Sequence, residues 1–470
     1  MLGDEFILKK LSSVTGADIE GLRLVLSILS GYLIAVFHRK FLYGKPPGIQ
    51  HLYFIITGLF LGFYNFGLDV LHTTVTLLFV YTVLKTIGGT LHSVIITLTF
   101  SMIYLLVGYA KNETESYDIV WTMPHCILVL RLSGLAFDIY DGSFPEKELS
   151  KDSKKVALLE VPSLLEMAAY SYFPTSFLVG PQFPMKRYQD FVAGKLKHNP
   201  QSKLPECIWP GLKTLAVGLL YIAIYCVGTN YYPDSYILGP EFVEISFFRR
   251  ICILGIWGHI TLIKYIAIWL LSEGSCTLIG LTYNGTDDNG NPKWDACSNA
   301  NVVRFECAQT FTYDYIGSFN INTNQWMLQY VYKRLRFLGN KYYSQIGVLV
   351  FLAIWHGFHS GYYLTFLMEF LGVVLEKDME VILNRNKVFL EFLSLPVIKQ
   401  IKWIVLKFYT IVVMGPCIAP LALRSFNRWW PIYCNTYFFV VILWGPWFLY
   451  KPIVKALLPP HKDVKEKKVN

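Results

Sequence analysis

The sequence is poor in charged residues. Only 16% of its 470 residues are Asp, Glu, Lys or Arg, whereas soluble globular chains have about 25%. By contrast, 54% of its residues are hydrophobic. So few polar side chains cannot cover a protein that faces water on every side. This excludes the ordinary soluble enzymes and binding modules.

Paired cysteines and basic–aromatic stripes are missing as well. None of the nine cysteines forms a Cys-x-x-Cys pair, and several lie in apolar runs, such as Cys226, Cys252 and Cys417. We therefore expect small buried side chains rather than a disulfide framework or a metal site. Basic residues do not alternate with aromatic ones as they do where nucleic-acid bases stack, so no nucleic-acid partner is expected.

The apolar residues are concentrated in long continuous runs. Residues 86–110 and 342–368 contain no charged side chain. A helix of about 20 apolar residues crosses the hydrocarbon core of a bilayer, and continuous runs favour helices over a barrel. The sequence predicts an all-α polytopic membrane protein with spans near 21–38, 51–68, 70–84, 86–110, 119–137, 214–232, 251–271, 344–370, 404–423 and 432–450.

Residues 1–470 are predicted to form a single membrane-embedded domain, with a core of about 50–455 and a tail at 456–470. The apolar segment 160–181 contains Glu166 and three prolines, which favours a re-entrant or interfacial segment over a span.

Loop charge predicts the orientation in the membrane. The basic loops at 38–45 and 185–203 are expected on the cytosolic side. The acidic loops at 111–118 and 233–244 are expected in the lumen, the first with the glycosylation sequon Asn112-Glu113-Thr114. The N-terminus is then lumenal.

The chain ends in Lys467-Lys468-Val469-Asn470, which resembles the dilysine retrieval signal of endoplasmic-reticulum membrane proteins. The alternative is a solvated basic tail. A retrieval signal requires a cytosolic C-terminus, and a lumenal start then requires an odd number of spans. About ten or eleven transmembrane helices are therefore expected.

His356 is an ionisable residue in the middle of the charge-free run 342–368. Polar groups inside a membrane are candidates for function, and a neutral imidazole suits a general base. On a continuous helix, Ser360 lies one turn from His356, and Gly357 and Gly361 share a face that admits another helix. The alternative is a structural histidine. A metal pair with His359 is not expected, because no carboxylate or cysteine lies nearby.

The run Trp-His-Gly-x-x-x-Gly-Tyr-x-x-x-Phe at 355–366 resembles the signature of the membrane-bound O-acyltransferase family, in its lysophospholipid acyltransferase branch. Residues 291–297 resemble the Trp-Asp motif of that branch, and 319–326 with 332–341 resemble its asparagine block. Residues 121–126 agree too. The resemblance extends from about residue 50 to the C-terminus.

This resemblance implies a helical bundle with re-entrant and interfacial helices around an intramembrane reaction chamber. It implies acyl-CoA as co-substrate, no cofactor, and transfer of a polyunsaturated acyl chain to the sn-2 hydroxyl of lysophosphatidylcholine. It also implies lysophosphatidylethanolamine and lysophosphatidylserine as further acceptors. His356 and Asn320 would be the catalytic pair, with Asn320 stabilising an oxyanion or positioning a substrate. Asn322 and Asn324 compete with Asn320 for this role.

Residues around these motifs are candidates for substrate binding. Segment 326–341 is expected to be an interfacial helix, whose cations contact CoA or anchor lipid headgroups. The oligomeric state is open, with a homodimer as one arrangement. The candidate substrate-binding residues are Trp294, Asp295, Lys333, Arg334, Arg336, Trp355, Ser360 and Tyr362.

Two other functions compete with this interpretation. The first keeps the family but changes the acceptor to a sterol, a diacylglycerol or a protein. The Trp-Asp and asparagine blocks argue against it. The second is a transporter in which His356 relays protons. It predicts inverted repeats, which the sequence does not contain.

Overall fold

The computed structural model describes residues 6, 8–10, 12–13, 18–112 and 119–460. Glu113 and Thr114 of the sequon, and Lys467 and Lys468 of the tail, lie outside the described residues. The predictions of a glycan and of a retrieval signal therefore stay predictions.

Regular secondary structure in these described ranges is helical, with isolated β-bridges such as the one between Thr286 and Pro292. The α-helices are α1 (Ile19–Phe37), α2 (Pro47–Phe66), α3 (Leu71–Ile87), α4 (Leu91–Asn112), α5 (Thr122–Gly142), α6 (Ser153–Val156), α7 (Leu164–Ser171), α8 (Met185–Val192), α9 (Ile208–Tyr231), α10 (Asp234–Ile237), α11 (Pro240–Glu244), α12 (Phe247–Ile279), α13 (Val302–Glu306), α14 (Ile321–Met327), α15 (Lys341–His356), α16 (Ser360–Asn384), α17 (Lys387–Ser394), α18 (Pro396–Leu423), α19 (Phe426–Asn435), α20 (Phe439–Trp444) and α21 (Trp447–Leu457).

Seven stretches of the described chain are long and apolar enough to cross a membrane, and one of them contains both α2 and α3. The all-α polytopic fold is confirmed. These seven stretches are fewer than the ten spans that the sequence predicts. The stretches are Ile19–Leu42, Pro47–Ile87, Leu91–Asn112, Thr122–Gly142, Ile208–Ile237, Phe247–Ile279 and Pro396–Leu423.

Two of the predicted spans are not single helices. The span expected at 344–370 is divided into α15 and α16, because Gly357 has a φ of 120°, which no helix contains. The span expected at 432–450 is divided into α19, α20 and α21. The first break contains Tyr437 and Phe438, whose backbones are left-handed with φ of 52° and 53°. The second break contains Pro446, which lacks the N–H that a continuing helix needs.

The segment expected to be re-entrant contains one short helix, α7, followed by turns. Its irregular backbone is satisfied by the buried side chain of Arg131 from α5. The Arg131 guanidinium donates to the carbonyls of Tyr170 (3.2 Å), Ser171 (3.2 Å), Ser176 (3.0 Å) and Pro181 (3.1 Å). Non-helical backbone at membrane depth is tolerated only where protein or a polar cavity satisfies it.

The chain forms two compact units. The first comprises 1–223, 264–300 and 320–358, and the second comprises 224–263, 301–319 and 359–470. A hydrophobic core cluster in the second unit combines aliphatic side chains with Trp257, Phe242, Trp429 and Tyr433. The prediction of one membrane domain stays a prediction.

Gly361 allows α16 to approach α18 closely within the second unit. A Cβ at this position would lie 2.0 Å from the carbonyl oxygen of Pro420. The Gly361 N–H donates to the carbonyl of Arg424 at 3.0 Å. The predicted close approach is confirmed at Gly361. Gly357 serves a different purpose and ends α15.

Candidate active site

His356 is the last residue of α15 and is partly buried. Its Nδ1 lies 2.7 Å from the carbonyl oxygen of Leu352, one turn earlier in the helix. A carbonyl oxygen can only accept, so Nδ1 carries the proton in this hydrogen bond. The lone pair of the neutral ring is then on Nε2. This tautomer makes Nε2 the atom of His356 that can take up a proton.

Trp355 connects the end of α15 to two neighbouring helices. Its indole N–H donates to the carbonyl of Cys126 in α5 at 3.0 Å. Its own carbonyl accepts from the hydroxyl of Tyr109 in α4 at 3.2 Å. The indole ring also meets the His356 ring edge-on, with centroids 4.7 Å apart. These contacts hold the backbone that carries His356, and they include Cys126 from the predicted block 121–126.

Asn320 precedes α14 in the left-handed conformation, with a φ of 48°. Asparagine tolerates this conformation better than most residues. The adjacent Ile321 N–H donates to the carbonyl of Asn299 at 3.0 Å, which attaches the asparagine block to the segment after the Trp-Asp motif. The side chain of Asn320 does not cap α14.

Asn322 is buried and engaged in the fold. Its side-chain amide donates to the carbonyl of Ser298 at 2.8 Å, and its backbone N–H donates to the side chain of Asn299 at 3.3 Å. These contacts give Asn322 a structural role. They favour Asn320 over Asn322 as the asparagine available for chemistry.

Trp294 and Asp295 lie in the loop between α12 and α13. Asp295 is exposed, and its carboxylate accepts from the side chain of Asn284 at 2.8 Å and lies 3.8 Å from Lys293. These contacts are within the loop itself. The ring of Trp294 packs on Tyr283 at 5.3 Å. Both assignments to substrate binding stay predictions.

The helix predicted at 326–341 is not continuous, and its interfacial location stays a prediction. The chain there leaves α14, forms a wide turn of helix at Leu328–Tyr332 and then a short 3-10 turn at Arg336–Leu338. Arg334 forms a bidentate pair with the buried carboxylate of Asp141, at 2.8 and 2.6 Å. Arg334 is therefore engaged by a carboxylate of the chain itself.

Lys333 pairs with Asp152, and this contact holds the pKa of the Asp152 carboxyl below its usual range. Two of the three cations expected to contact CoA are thus paired with carboxylates of the chain. Arg336 is exposed.

Ser360 and Tyr362 lie beyond the helix break, in the second unit. The Ser360 hydroxyl accepts from the indole N–H of Trp429 at 3.1 Å. The expectation that Ser360 lies on the helical face of His356 is wrong, because Gly357 ends the helix between them. Tyr362 packs against His359, with ring centroids 6.0 Å apart.

A polar cleft near α5 contains residues that the sequence interpretation missed. It has a cavity volume of about 80 Å³ and is lined by Asp138, Gln182, Gln329 and Tyr330 among others. One feature of the sequence indicates this cleft: the charged residue Arg131 lies within the predicted span 119–137, and a charge inside a span marks a buried polar region.

Comparison with known proteins identifies the family. Residues 106–418 match the model of the membrane-bound O-acyltransferase family. The chain is 42% identical over 448 residues to lysophospholipid acyltransferase 5 of Drosophila melanogaster, covering 93% of this chain and 88% of that protein. It is 39% identical over 459 residues to lysophospholipid acyltransferase 5 of Homo sapiens, covering 98% and 94%. The protein of the same name from Caenorhabditis elegans is 33% identical over 452 residues, covering 96% and 95%. The chain belongs to the membrane-bound O-acyltransferase family.

Proposed function

We propose that this protein transfers an acyl chain from acyl-CoA to the sn-2 hydroxyl of a lysophospholipid, with lysophosphatidylcholine as the main acceptor. The relatives named lysophospholipid acyltransferase 5 carry this proposal, because the similarity extends over nearly the whole chain. Lysophosphatidylethanolamine and lysophosphatidylserine are further acceptors, and polyunsaturated chains are the preferred donors.

His356 is the general base in this proposal. Its Nε2 takes the proton from the sn-2 hydroxyl as the oxygen attacks the thioester carbon. The carbon–sulfur bond then breaks, and the leaving CoA sulfur takes the proton back from the imidazolium. The hydrogen bond from Nδ1 to Leu352 supports this assignment, because it leaves the lone pair on Nε2.

The transfer is direct, with both substrates bound at once. A covalent acyl-cysteine would need a thiolate. Cys297, the cysteine of the Trp-Asp block, is fully buried, and burial raises the pKa of its thiol to about 11. It is therefore a neutral thiol at physiological pH.

Asn320 either donates to the oxyanion of the tetrahedral intermediate or positions a substrate.

The enzyme is proposed to reside in the endoplasmic reticulum with its C-terminus in the cytosol. The dilysine pattern at 467–468 supports this location. A cytosolic C-terminus also fits acyl-CoA, a soluble anionic substrate of that compartment.

Microsomes from cells that express the chain test the proposal. They are offered lysophosphatidylcholine, lysophosphatidylethanolamine, lysophosphatidylserine, a sterol and a diacylglycerol, each with saturated and polyunsaturated acyl-CoA. We expect acyl-CoA-dependent transfer to the lysolipids, fastest for lysophosphatidylcholine with polyunsaturated donors. Transfer only to the sterol or the diacylglycerol would contradict the proposed acceptor. Absence of any transfer would contradict the proposed activity.

A further inference from the structure

Glu273 is a buried acidic residue on a helix long and apolar enough to cross the membrane. It lies near the end of α12, in the stretch Phe247–Ile279, and is 6% exposed. Its Oε1 accepts from the Ser298 hydroxyl at 2.5 Å, and its Oε2 accepts from the backbone N–H of Asn299 at 3.3 Å. An ionisable group inside a membrane is costly, which makes Glu273 a candidate for function.

Asn299 connects Glu273 to the asparagine block. The Asn299 carbonyl accepts from the N–H of Ile321 at 3.0 Å, and its side-chain oxygen accepts from the N–H of Asn322 at 3.3 Å. Asn299 is 4% exposed, so water has little access to these hydrogen bonds. The two residues that follow Asn320 are therefore both bonded through their backbone to one residue, and Glu273 in turn binds the N–H of that residue.

The backbone of Asn320 requires this support. Its φ of 48° and ψ of 44° are left-handed, a conformation that a residue other than glycine keeps only where its surroundings hold it. The hydrogen bonds of Ile321 and Asn322 fix the two peptide groups that follow. Because the Cα–Cβ bond turns with the backbone, these hydrogen bonds also set the direction of the Asn320 side chain.

We propose that Glu273 is a positioning residue, which orients Asn320 for acyl transfer through Asn299. This inference rests on the proposed function, in which the Asn320 amide donates to the oxyanion or positions a substrate. Glu273 contributes two hydrogen-bond acceptors, and no proton of the reaction passes through it. A residue that only stabilises the fold would change the amount of folded protein without changing the rate of each folded molecule.

Glu273→Leu tests this role directly. Leucine is of similar size but accepts no hydrogen bond, so the variant releases Ser298 and Asn299. We expect acyl transfer per folded molecule to fall about ten- to hundredfold, as when a catalytic group is misplaced by about 1 Å. The loss should divide between kcat and KM in the same way as that of Asn320→Gly.

Glu273→Gln is the conservative variant that should restore the rate. The glutamine oxygen can accept from the N–H of Asn299, and its amide can donate to the Ser298 hydroxyl oxygen, so both contacts remain. We expect its rate to stay within about threefold of wild type. Glutamine cannot ionise, so this result would also exclude a role for Glu273 as acid or base.

The double variant Glu273→Leu with Asn320→Gly tests whether Glu273 acts through Asn320. If it does, the second substitution has nothing further to disturb. The double variant should then transfer acyl chains within about twofold of the rate of Asn320→Gly alone. Two residues that act independently would give losses that multiply.

Ser272→Ala is the matched control. Ser272 precedes Glu273 on α12 and is 2% exposed, and its hydroxyl donates to the carbonyls of Thr175, at 2.8 Å, and Gly180. Neither hydrogen bond involves Asn299 or the asparagine block. The variant should lower the Tm and keep the wild-type rate per folded molecule.

Hydrogen exchange of the N–H groups of Ile321 and Asn322 provides a readout that does not need turnover. In the intact protein in detergent, it should become at least about tenfold faster in Glu273→Leu and stay unchanged in Glu273→Gln and Ser272→Ala. If Glu273→Leu does not fold, Asn299→Ala replaces it in every measurement, because it removes the acceptor of the Asn322 N–H.

Three results would overturn the positioning role: a wild-type rate for Glu273→Leu, a Glu273→Gln as slow as Glu273→Leu, or losses that multiply in the double variant. A different result would overturn the proposed function instead. If the wild-type protein transferred no acyl chain, yet Glu273→Leu accelerated exchange at 321–322 and Ser272→Ala did not, the connection from Glu273 to Asn320 would stand without the activity.

Discussion

At the scale of the residue, the hydrogen bonds of a side chain's polar atoms decide its role. A side chain whose polar atoms bond within the protein supports the fold, and one with a polar atom left over is available for chemistry. His356 gives Nδ1 to the Leu352 carbonyl, which directs its basicity to Nε2. Asn322 gives its amide to Ser298. Asn320, two residues earlier, holds a left-handed backbone with no capping bond from its side chain. Neighbouring residues of one type can thus have different roles.

Asn320→Gly should reduce acyl transfer while leaving the protein stable. Glycine adopts a φ of 48° without strain, so the variant removes the amide and keeps the backbone. If the amide stabilises the oxyanion, the expected loss in kcat is about 10²–10³-fold. A loss confined to KM would indicate substrate positioning. The measurement is initial rate in detergent at equal amounts of folded protein.

Asn322→Ala is the matched comparison for Asn320→Gly. It removes the hydrogen bond to Ser298, so we expect a lower Tm, corresponding to about 1–3 kcal/mol in the free energy of unfolding. The folded fraction should retain activity. A stable but inactive Asn322→Ala together with an active Asn320→Gly would show that the roles are reversed.

At the scale of the element, the break between α15 and α16 decides which residues share the surroundings of His356. Gly357 ends the first helix with a φ of 120°, and His359 precedes the second helix in an extended conformation. The histidine is therefore at a helix end instead of on a continuous helical face. Its neighbours are Trp355 and, through it, α4 and α5.

Gly361→Ala should destabilise the protein. The added Cβ would lie 2.0 Å from the Pro420 carbonyl oxygen, so α16 and α18 would have to separate. Overpacking of this kind costs about 1–3 kcal/mol or more. We expect a lower Tm and less monodisperse protein in size-exclusion chromatography.

Gly48→Ala is the control for Gly361→Ala. Gly48 lies in the first turn of α2, and an added Cβ would have no atom within 4 Å. Its Tm should equal or exceed that of the wild type, because alanine favours helices. A wild-type Tm for Gly361→Ala would contradict the close approach of the two helices.

The sequence predicts long uninterrupted helices well and their interruptions poorly. The spans expected at 214–232 and 251–271 are parts of α9 and α12, because a continuous apolar run has few alternatives in a bilayer. The break at Gly357 could not be predicted, because the sequence of an apolar run does not show whether its glycine lies inside a helix or ends one. The residue types of the candidate site were predictable from motifs. Their hydrogen bonds were not, because Cys126 and Trp355 are distant in sequence.

At the scale of the whole molecule, the orientation in the membrane determines which compartment supplies each substrate. In the proposed orientation the basic loops and the tail face the cytosol, the compartment that contains the proposed donor, acyl-CoA. The tail is also the part that carries the proposed address. Its effect on location is separable from its effect on activity.

Lys467→Ala combined with Lys468→Ala should allow the enzyme to leave the endoplasmic reticulum for the Golgi, with unchanged activity per molecule. Retrieval depends on the two lysines near the free carboxylate, so residues added after Asn470 should have the same effect. Fluorescence microscopy with organelle markers measures the distribution. Unchanged reticular location of both variants would reduce the segment to a solvated basic tail.

The most direct test of the central claim is the rate of acyl transfer from acyl-CoA to lysophosphatidylcholine by His356→Ala, relative to wild type at equal amounts of folded protein. General-base catalysis contributes about 10²–10⁴-fold, so we predict a loss of at least that order with normal expression and Tm. His72→Ala is the control: its Nδ1 bonds to the Tyr104 hydroxyl at 2.8 Å, a contact within the helix packing, and the variant should retain activity. Residual activity of His356→Ala above about a tenth of the wild-type rate would contradict the role of His356 as the base.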